Sequence, residues 1–283
     1  TYHRPFDAPL TADTEGLARA ASHWVRTSAS SASVGADAAA AVQAANTPPG
    51  QIATLILPAD TAWNEGGEVA APLPVSARPA VAPDTLRAIA QVLRTKQPAM
   101  LVLYGQALSE AGLIAANRIA HVTGAKLRTP TQVSRMARGR GRVPVDRIPY
   151  VVDSALKVLA GVKHVILVGA RPPTAFFAYP GKPSLMAPPD SDTHVLARPE
   201  QDAVAALEAL ADELGAPKNA PIAEGAIKPQ LARGKFEPEA FATTLAALLP
   251  ENCIVSEDAV TSGRALFAPT FNAAPMDWLQ NTG

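Results

Sequence analysis

The chain has 283 residues with 25 basic and 25 acidic side chains, so its formal net charge is zero and no global field draws it to nucleic acid or to an anionic membrane. That length suffices for one large or two ordinary domains, each with an adequate core. A lone cysteine, Cys253, excludes an internal disulfide, no apolar run approaches the ~20 residues of a membrane span, and no basic-then-apolar leader opens the chain, so a cytoplasmic protein is expected.

The opening TYHRPFDAPLTAD lacks periodicity and reads as a loop. Asp13 is placed to cap a helix through Ala21, ahead of a short strand at Trp24 and Val25, and the alanine-rich stretch Gly35 to Ala45 predicts a second helix. QIATLILPADTAWNEG, Gln51 to Gly66, then organises this part of the chain. It predicts a buried strand over Ile52 to Leu57, turned by Pro58 into a short polar segment that ends at Trp63, Asn64 and a glycine pair. Pro48, Pro49 and Gly50 precede it and a Pro-rich run from Ala70 to Pro83 succeeds it, so a first unit, residues 1–69, closes there and a linker begins. Helix, strand, helix, strand is half of an α/β domain.

From Asp84 the alternation is regular. A helix over Asp84 to Thr95, apolar at Leu86, Ile89, Ala90 and Leu93, leads to a strand over Met100 to Tyr104, a helix over Ser109 to Val122 and a strand over Lys126 to Arg128. An irregular segment, Thr129 to Pro149, is followed by a helix over Val151 to Leu159, the strand His164 to Val168, a short strand at Val195 and Leu196, and a helix over Glu200 to Leu214. Apolar, β-rich runs separated by helices, with Gly105 and Gly169 at strand ends, predict a Rossmann-like parallel sheet covered on both faces across residues 84–215. After a second linker, Ala216 to Lys235, come a helix over Pro238 to Leu249, a strand over Cys253 to Ser256 and a helix over Val260 to Phe267, while MDWLQNT reads as a loop. Residues 236–283 thus begin a third α/β unit, and both ends of the chain are expected to fall inside units that continue beyond it.

The five histidines, His3, His23, His121, His164 and His194, show no spacing suited to a shared metal. A GxSxG elbow, a Walker P-loop and a strand-linked GxGxxG are absent. In RMARGRGRVP, Gly139 and Gly141 resemble a phosphate loop superficially, but Pro144 breaks the helix that such a loop would open, and the arginines read either as a solvated or interdomain surface or as a phosphate contact. VILVGARPP either places Arg171 beside a nucleotide phosphate beyond the end of its strand or uses Gly169 only for a tight turn. In CIVSEDAVTSGRALF, a strand runs through a loop into the expected helix, where Thr261 and Ser262 either donate to a diphosphate or cap the helix. Glu257 and Asp258 oppose an anion unless a cation or a turn offsets them.

Several stretches, taken in order, resemble the thiamine diphosphate-dependent decarboxylase and acetolactate synthase large subunit family. TYHRPFDAPLTADTEGLARAASHWVRT and PPGQIATLILPADTAW resemble the second half and the closing strand of its pyrimidine-binding domain, LVLYGQALSEAGLIAANRIAHVTGAKL the start of its middle domain, and LLPENCIVSEDAVTSGRALF with PMDWLQNTG the start of its diphosphate-binding domain. The resemblance implies an α/β protein with a Rossmann-like middle domain flanked by partial thiamine diphosphate-binding domains. It further implies Mg2+ with the cofactor, FAD or an adenine nucleotide as a possible occupant of the middle domain, and a homo-oligomer, dimer or tetramer. The reaction implied is loss of carbon dioxide from a 2-oxo acid, followed by protonation to an aldehyde or by attack on a second carbonyl. Carried over residue by residue, Ala259, Val260, Thr261 and Ser262 match the diphosphate-proximal segment, and Gly283 begins the loop near the aminopyrimidine. The family's cofactor-activating glutamate and its metal-holding GDG motif and asparagine are expected outside this sequence, so no catalytic residue is assigned. The alternative is a nucleotide-binding or purely structural Rossmann-like module, inactive as it stands.

Overall fold

A computed structural model describes residues 2–222, 229–259 and 261–280, which divide into two compact units, Thr1–Pro79 and Ala80–Gly283. In the first, α1 (Thr14–Ala21) starts where the Asp13 carboxylate accepts the Gly16 N–H at 2.9 Å, as its N-cap position predicts. β1 (Trp24–Thr27) and β2 (Ala53–Ile56) form a parallel pair, with Trp24 opposite Ala53, joined through α2 (Val34–Asn46). Asp37 on α2 accepts from Arg26 at 3.1 Å and Ser28 at 2.9 Å, which ties the crossover helix to the end of β1. The strand expected to be buried is only half-buried, and its flanks Ile52 and Leu57 are 58% and 51% exposed. Two strands offer too little sheet to enclose apolar side chains on both faces. The polar segment after Pro58 closes into a short helix, α3 (Ala59–Trp63).

The second unit opens with α4 (Pro83–Arg94), whose proline at the first helical position loses no hydrogen bond, and continues through β3 (Ala99–Leu103) and α5 (Glu110–Thr123), capped by the Ser109 hydroxyl. Next come β4 (Lys126–Thr129), β5 (Arg135–Arg138), β6 (Asp146–Arg147), α6 (Val152–Leu159), β7 (His164–Val168) and β8 (Asp192–Ala197). The remaining elements are α7 (Ala203–Glu213), capped by Asp202, then α8 (Pro238–Leu248), β9 (Cys253–Glu257) and β10 (Met276–Gln280). Five strands make one parallel sheet in the order β6-β4-β3-β7-β8. Every residue of β3 is buried because both faces are covered: Leu101 and Leu103 pack with Ile89, Leu113, Ile119 and Leu207 of α4, α5 and α7, while Met100 and Val102 pack with Val152, Ala155 and Leu159 of α6. This is the α/β architecture with the Rossmann-like sheet that the alternating pattern predicts.

A second sheet runs β5-β10-β9, with β9 and β10 parallel and β5 antiparallel to β10. Three expectations are corrected here. Thr129 to Pro149 is not irregular but contributes β5 and β6. MDWLQ is a strand rather than a loop, with Met276 and Trp278 fully buried and Asp277 between them turned to Arg135. Val260 lies outside the described residues, and from Thr261 the helix expected through Phe267 gives way to a 3-10 turn, Ser262–Ala265, followed by a second at Pro269–Asn272. Among the described residues, no helix is long and apolar enough to cross a membrane.

Candidate functional site

β9 and β10 run side by side, so both deliver their carboxyl ends to one edge, the edge at which open parallel sheets receive ligands. Glu257, the last residue of β9, is paired with Gln280, the last residue of β10. Its carboxylate points inward rather than to that edge. One oxygen, Oε2, accepts from Trp278 Nε1 at 2.8 Å, Gln280 Nε2 at 2.9 Å and Arg147 Nη2 at 3.2 Å. The anionic character that argues against a diphosphate here is therefore offset by a cation and two N–H donors. Gly263 closes over it: a Cβ at that position would stand 2.4 Å from Glu257 Oε1, so a side chain there displaces the carboxylate.

Of the residues expected to touch the cofactor, Ala259 is partly buried in the segment leaving β9 and Thr261 is exposed just before the 3-10 turn. Ser262 is the first residue of that turn, and Thr261 makes no side-chain cap bond among the described residues. Val260 and Gly283 lie outside the described residues. With a four-residue 3-10 turn in place of a helix, Thr261 and Ser262 have neither a helix dipole to lend an anion nor a helix to cap.

Of the arginine run, Arg138 and Arg142 face the segment 267–278, which agrees with the interdomain alternative, and Arg138 is not solvated. Arg135 is exposed and pairs with Asp277, but Arg138 is 1% exposed and lies with its guanidinium carbon 3.7 Å from the Phe267 ring centroid, 4.1 Å from Phe271 and 5.0 Å from Trp278. Arg147 lies 3.5 Å from the same Phe267 ring. Weakly hydrated, planar guanidinium suits such faces. Burial, and then the neighbouring Arg147, push the Arg138 pKa well below its ordinary value, while Glu257 and Asp146 act in the opposite direction. Gly139 is no phosphate loop: at φ +114°, its missing side chain leaves room for the chain at Ala274 and Pro275, whose backbone a Cβ would meet at 2.6 and 2.7 Å. No local signal announces these contacts, since Arg138 and its three aromatic partners are separated by more than a hundred residues of sequence.

A second concavity, about 650 Å3, opens beside β3 and β7, the two strands between which the strand order reverses. Taken in order of appearance, the strands of that sheet run 3-2-1-4-5, which puts the switch point between them. Tyr104, Gln132, Tyr150, Gly169 and Phe176 line it, and Arg171 stands exposed at its lining without an ion pair among the described residues. Gly169 has φ +66°, and a Cβ there would come within 2.8 Å of the Tyr104 carbonyl oxygen, so glycine is needed both for the turn and for the approach of the two strand ends.

No family model matches the chain. Over all 283 residues it is 45% identical to a candidate acetolactate synthase large subunit, IlvX, of Mycobacterium tuberculosis (strain ATCC 25618 / H37Rv), and it spans about half of that relative's length, 54%. Among solved structures it is similar to a candidate thiamin diphosphate-dependent enzyme from Mycobacterium smegmatis, with TM-score 0.70 and 19% identity over 98% of this chain and 57% of that one. It is also similar to the thiamine diphosphate-dependent 4-hydroxybenzoylformate decarboxylase of Rhodococcus jostii RHA1, with TM-score 0.72 and 14% identity over 99% of this chain and 56% of that one. A benzoylformate decarboxylase from Polynucleobacter necessarius gives TM-score 0.67 and 20% identity over 99% and 56%. The structural likenesses establish a shared fold, and the sequence likeness runs the whole length of the chain. Along its whole length the chain is thus similar in sequence to about half of one acetolactate synthase large subunit-like protein, and in fold to thiamine diphosphate-dependent enzymes.

Proposed function

We propose that the protein to which this chain belongs uses thiamine diphosphate and Mg2+ to act on a 2-oxo acid in the cytoplasm, as an acetolactate synthase-like transferase or as a decarboxylase. The observation that carries this is the 45% identity to the Mycobacterium tuberculosis relative along the whole chain. Residues 1–69 are read as the closing part of a pyrimidine-binding domain, 84–215 as the central domain and 236–283 as the opening of a diphosphate-binding domain.

The described residues suit that cofactor in their donor set. Thr261 offers an exposed hydroxyl beyond β9, and the carboxylate nearest the strand end is turned inward and held by Arg147 and Trp278. Ala259, Val260, Thr261 and Ser262 are proposed to receive the diphosphate and Gly283 to approach the aminopyrimidine. When bound, the cofactor supplies the electron sink that lets a 2-oxo acid lose its carboxyl group. This chain's part is to bind and orient: the neutralised end of β9 accepts an anion without repelling it, and Phe267, Trp278 and the arginines between them fix the strand ends rigidly. The catalytic glutamate and the metal ligands are assigned to sequence beyond this chain, with the cofactor between two copies of the subunit in a dimer or tetramer. In the concavity beside β3 and β7, Arg171 is proposed to meet the phosphate of FAD or an adenine nucleotide, in a role apart from the chemistry.

The test is carbon dioxide release by the full-length protein from pyruvate and from benzoylformate, with and without thiamine diphosphate and Mg2+, together with cofactor titration by calorimetry. Cofactor-dependent release supports the proposal, and an acetohydroxy acid or an aldehyde among the products separates transferase from decarboxylase. Failure to bind the cofactor at all overturns it.

A further inference from the structure

At the other end of the large sheet, three side chains with metal-binding atoms converge. His164 opens β7 and Asp192 opens β8, and the parallel register sets them directly opposite one another, with His194 two residues further along β8 opposite Ile166. Strand periodicity of two then puts all three on one face. His164 Nδ1 lies 3.2 Å from His194 Nε2 and 3.9 Å from Asp192 Oδ2, and one ligand atom from each residue falls within 4.8 Å of the others. We infer that His164, His194 and Asp192 form a site for a late first-row divalent cation, best filled by Zn2+, with the fourth position open to solvent.

Two imidazole nitrogens each about 2.0–2.1 Å from a tetrahedral zinc stand roughly 3.3 Å apart, against the 3.2 Å found here. The carboxylate needs a small inward swing, and its side chain is 77% exposed and on the edge strand, whereas the His164 ring beside it is 12% exposed. Two nitrogens and one carboxylate oxygen favour zinc, nickel or copper over magnesium or calcium, which prefer oxygen shells. The sequence offers no hint of the site, because histidines 30 residues apart match no ligand spacing and only sheet register brings them together. The site is independent of the proposed activity, since it lies a strand length, about 16 Å, from the carboxyl ends of β3 and β7.

The same 3.2 Å also suits a hydrogen bond between two neutral rings, and the experiment separates the two. Zn2+ is titrated against a chromogenic chelator in the full-length protein under saturating Mg2+, for wild type, His194→Gln and Asp192→Asn. One zinc per chain is expected in the wild type, with affinity about 100-fold lower in His194→Gln and about tenfold lower in Asp192→Asn. X-ray absorption of the loaded wild type should show two imidazoles in the first shell. The Asp192 side chain is exposed, so that variant is expected to melt as wild type does without zinc and to report on binding even where His194→Gln folds poorly. A wild type that takes up no zinc, or variants that keep its affinity, overturn the site, and the contact is then a hydrogen bond between the rings.

Discussion

Replacing Glu257 by glutamine tests whether the inward carboxylate holds the β5-β10-β9 sheet together. The substitution keeps size and one acceptor but removes the charge facing Arg147, at 3.2 Å, with side chains only 6% and 17% exposed. It also removes a charge that opposes the depression of the Arg138 pKa, leaving two guanidinium groups against one Phe267 ring without a full countercharge. Breaking a buried ion pair from one side costs about 3–5 kcal/mol, and retention of the Trp278 hydrogen bond to the new amide oxygen places Glu257→Gln near the lower end, about 3 kcal/mol. The assay is urea unfolding read through Trp278, in a Trp24→Phe, Trp63→Phe background because those two tryptophans belong to the other unit. Removing Arg147 as well, as Glu257→Gln with Arg147→Met, should recover at least half of the loss, since one uncompensated cation then disappears into apolar packing. A loss below about 1 kcal/mol, or a double variant no more stable than the single, refutes the reasoning, for then the pair is not what offsets the buried arginines.

Gly139→Ala should cost about 2–5 kcal/mol in the same assay, because positive φ and a backbone collision with Ala274 and Pro275 add and neither neighbour is a side chain able to swing away; a change under about 0.5 kcal/mol contradicts the tight joint between β5 and β10. Asp212 accepts from Arg118 and from Lys218, which hold its pKa below the ordinary 3.8 although partial burial works the other way. A carboxylate depressed in the folded state stabilises fully above its unfolded pKa and loses that contribution as pH falls through the folded value. Wild type should therefore lose stability on acidification below pH 3.8 more steeply than Asp212→Asn, and parallel acid profiles would dismiss the linkage. Thr261→Ala should weaken thiamine diphosphate binding by about tenfold in calorimetry while leaving the melting temperature unchanged, as expected of one exposed donor; unaltered affinity removes Thr261 from the proposed diphosphate segment.

The features legible in the sequence are those decided within one window of chain. Asp13 caps the helix its position predicts, the helices expected from Ser109 and Glu200 form with Ser109 and Asp202 as their caps, and β7 spans His164 to Val168 because a β-branched apolar run between glycine turns has few other ways to be buried. Pairings made across the chain are not legible. β5 carries arginine and alanine, poor strand formers, and is a strand only because β10 lies beside it, with Arg138 paired to Met276. Asp277 interrupts MDWLQ, yet Met276 and Trp278 alternate with it in the period of a half-buried strand; that signal is too short to outweigh Pro275 before it.

The candidate site combines both kinds of information, and for that reason its charge cannot be read from one segment. Taken alone, the sequence SEDA at the end of β9 places two acidic side chains where a diphosphate would lie. Glu257, the last residue of β9, is buried while Asp258 just beyond it is exposed, and the chain supplies Arg147 from β6 to meet the buried one. β6 is two residues long and belongs to the other sheet, joined to β4 through Arg128 opposite Asp146 and Thr129 opposite Arg147. The charge state at the end of β9 is thus set by the register of the larger sheet. A slip of one residue between β4 and β6 would turn Arg147 to the opposite face, leave Glu257 buried without a cation, and lose the neutral strand end on which the proposed cofactor site depends.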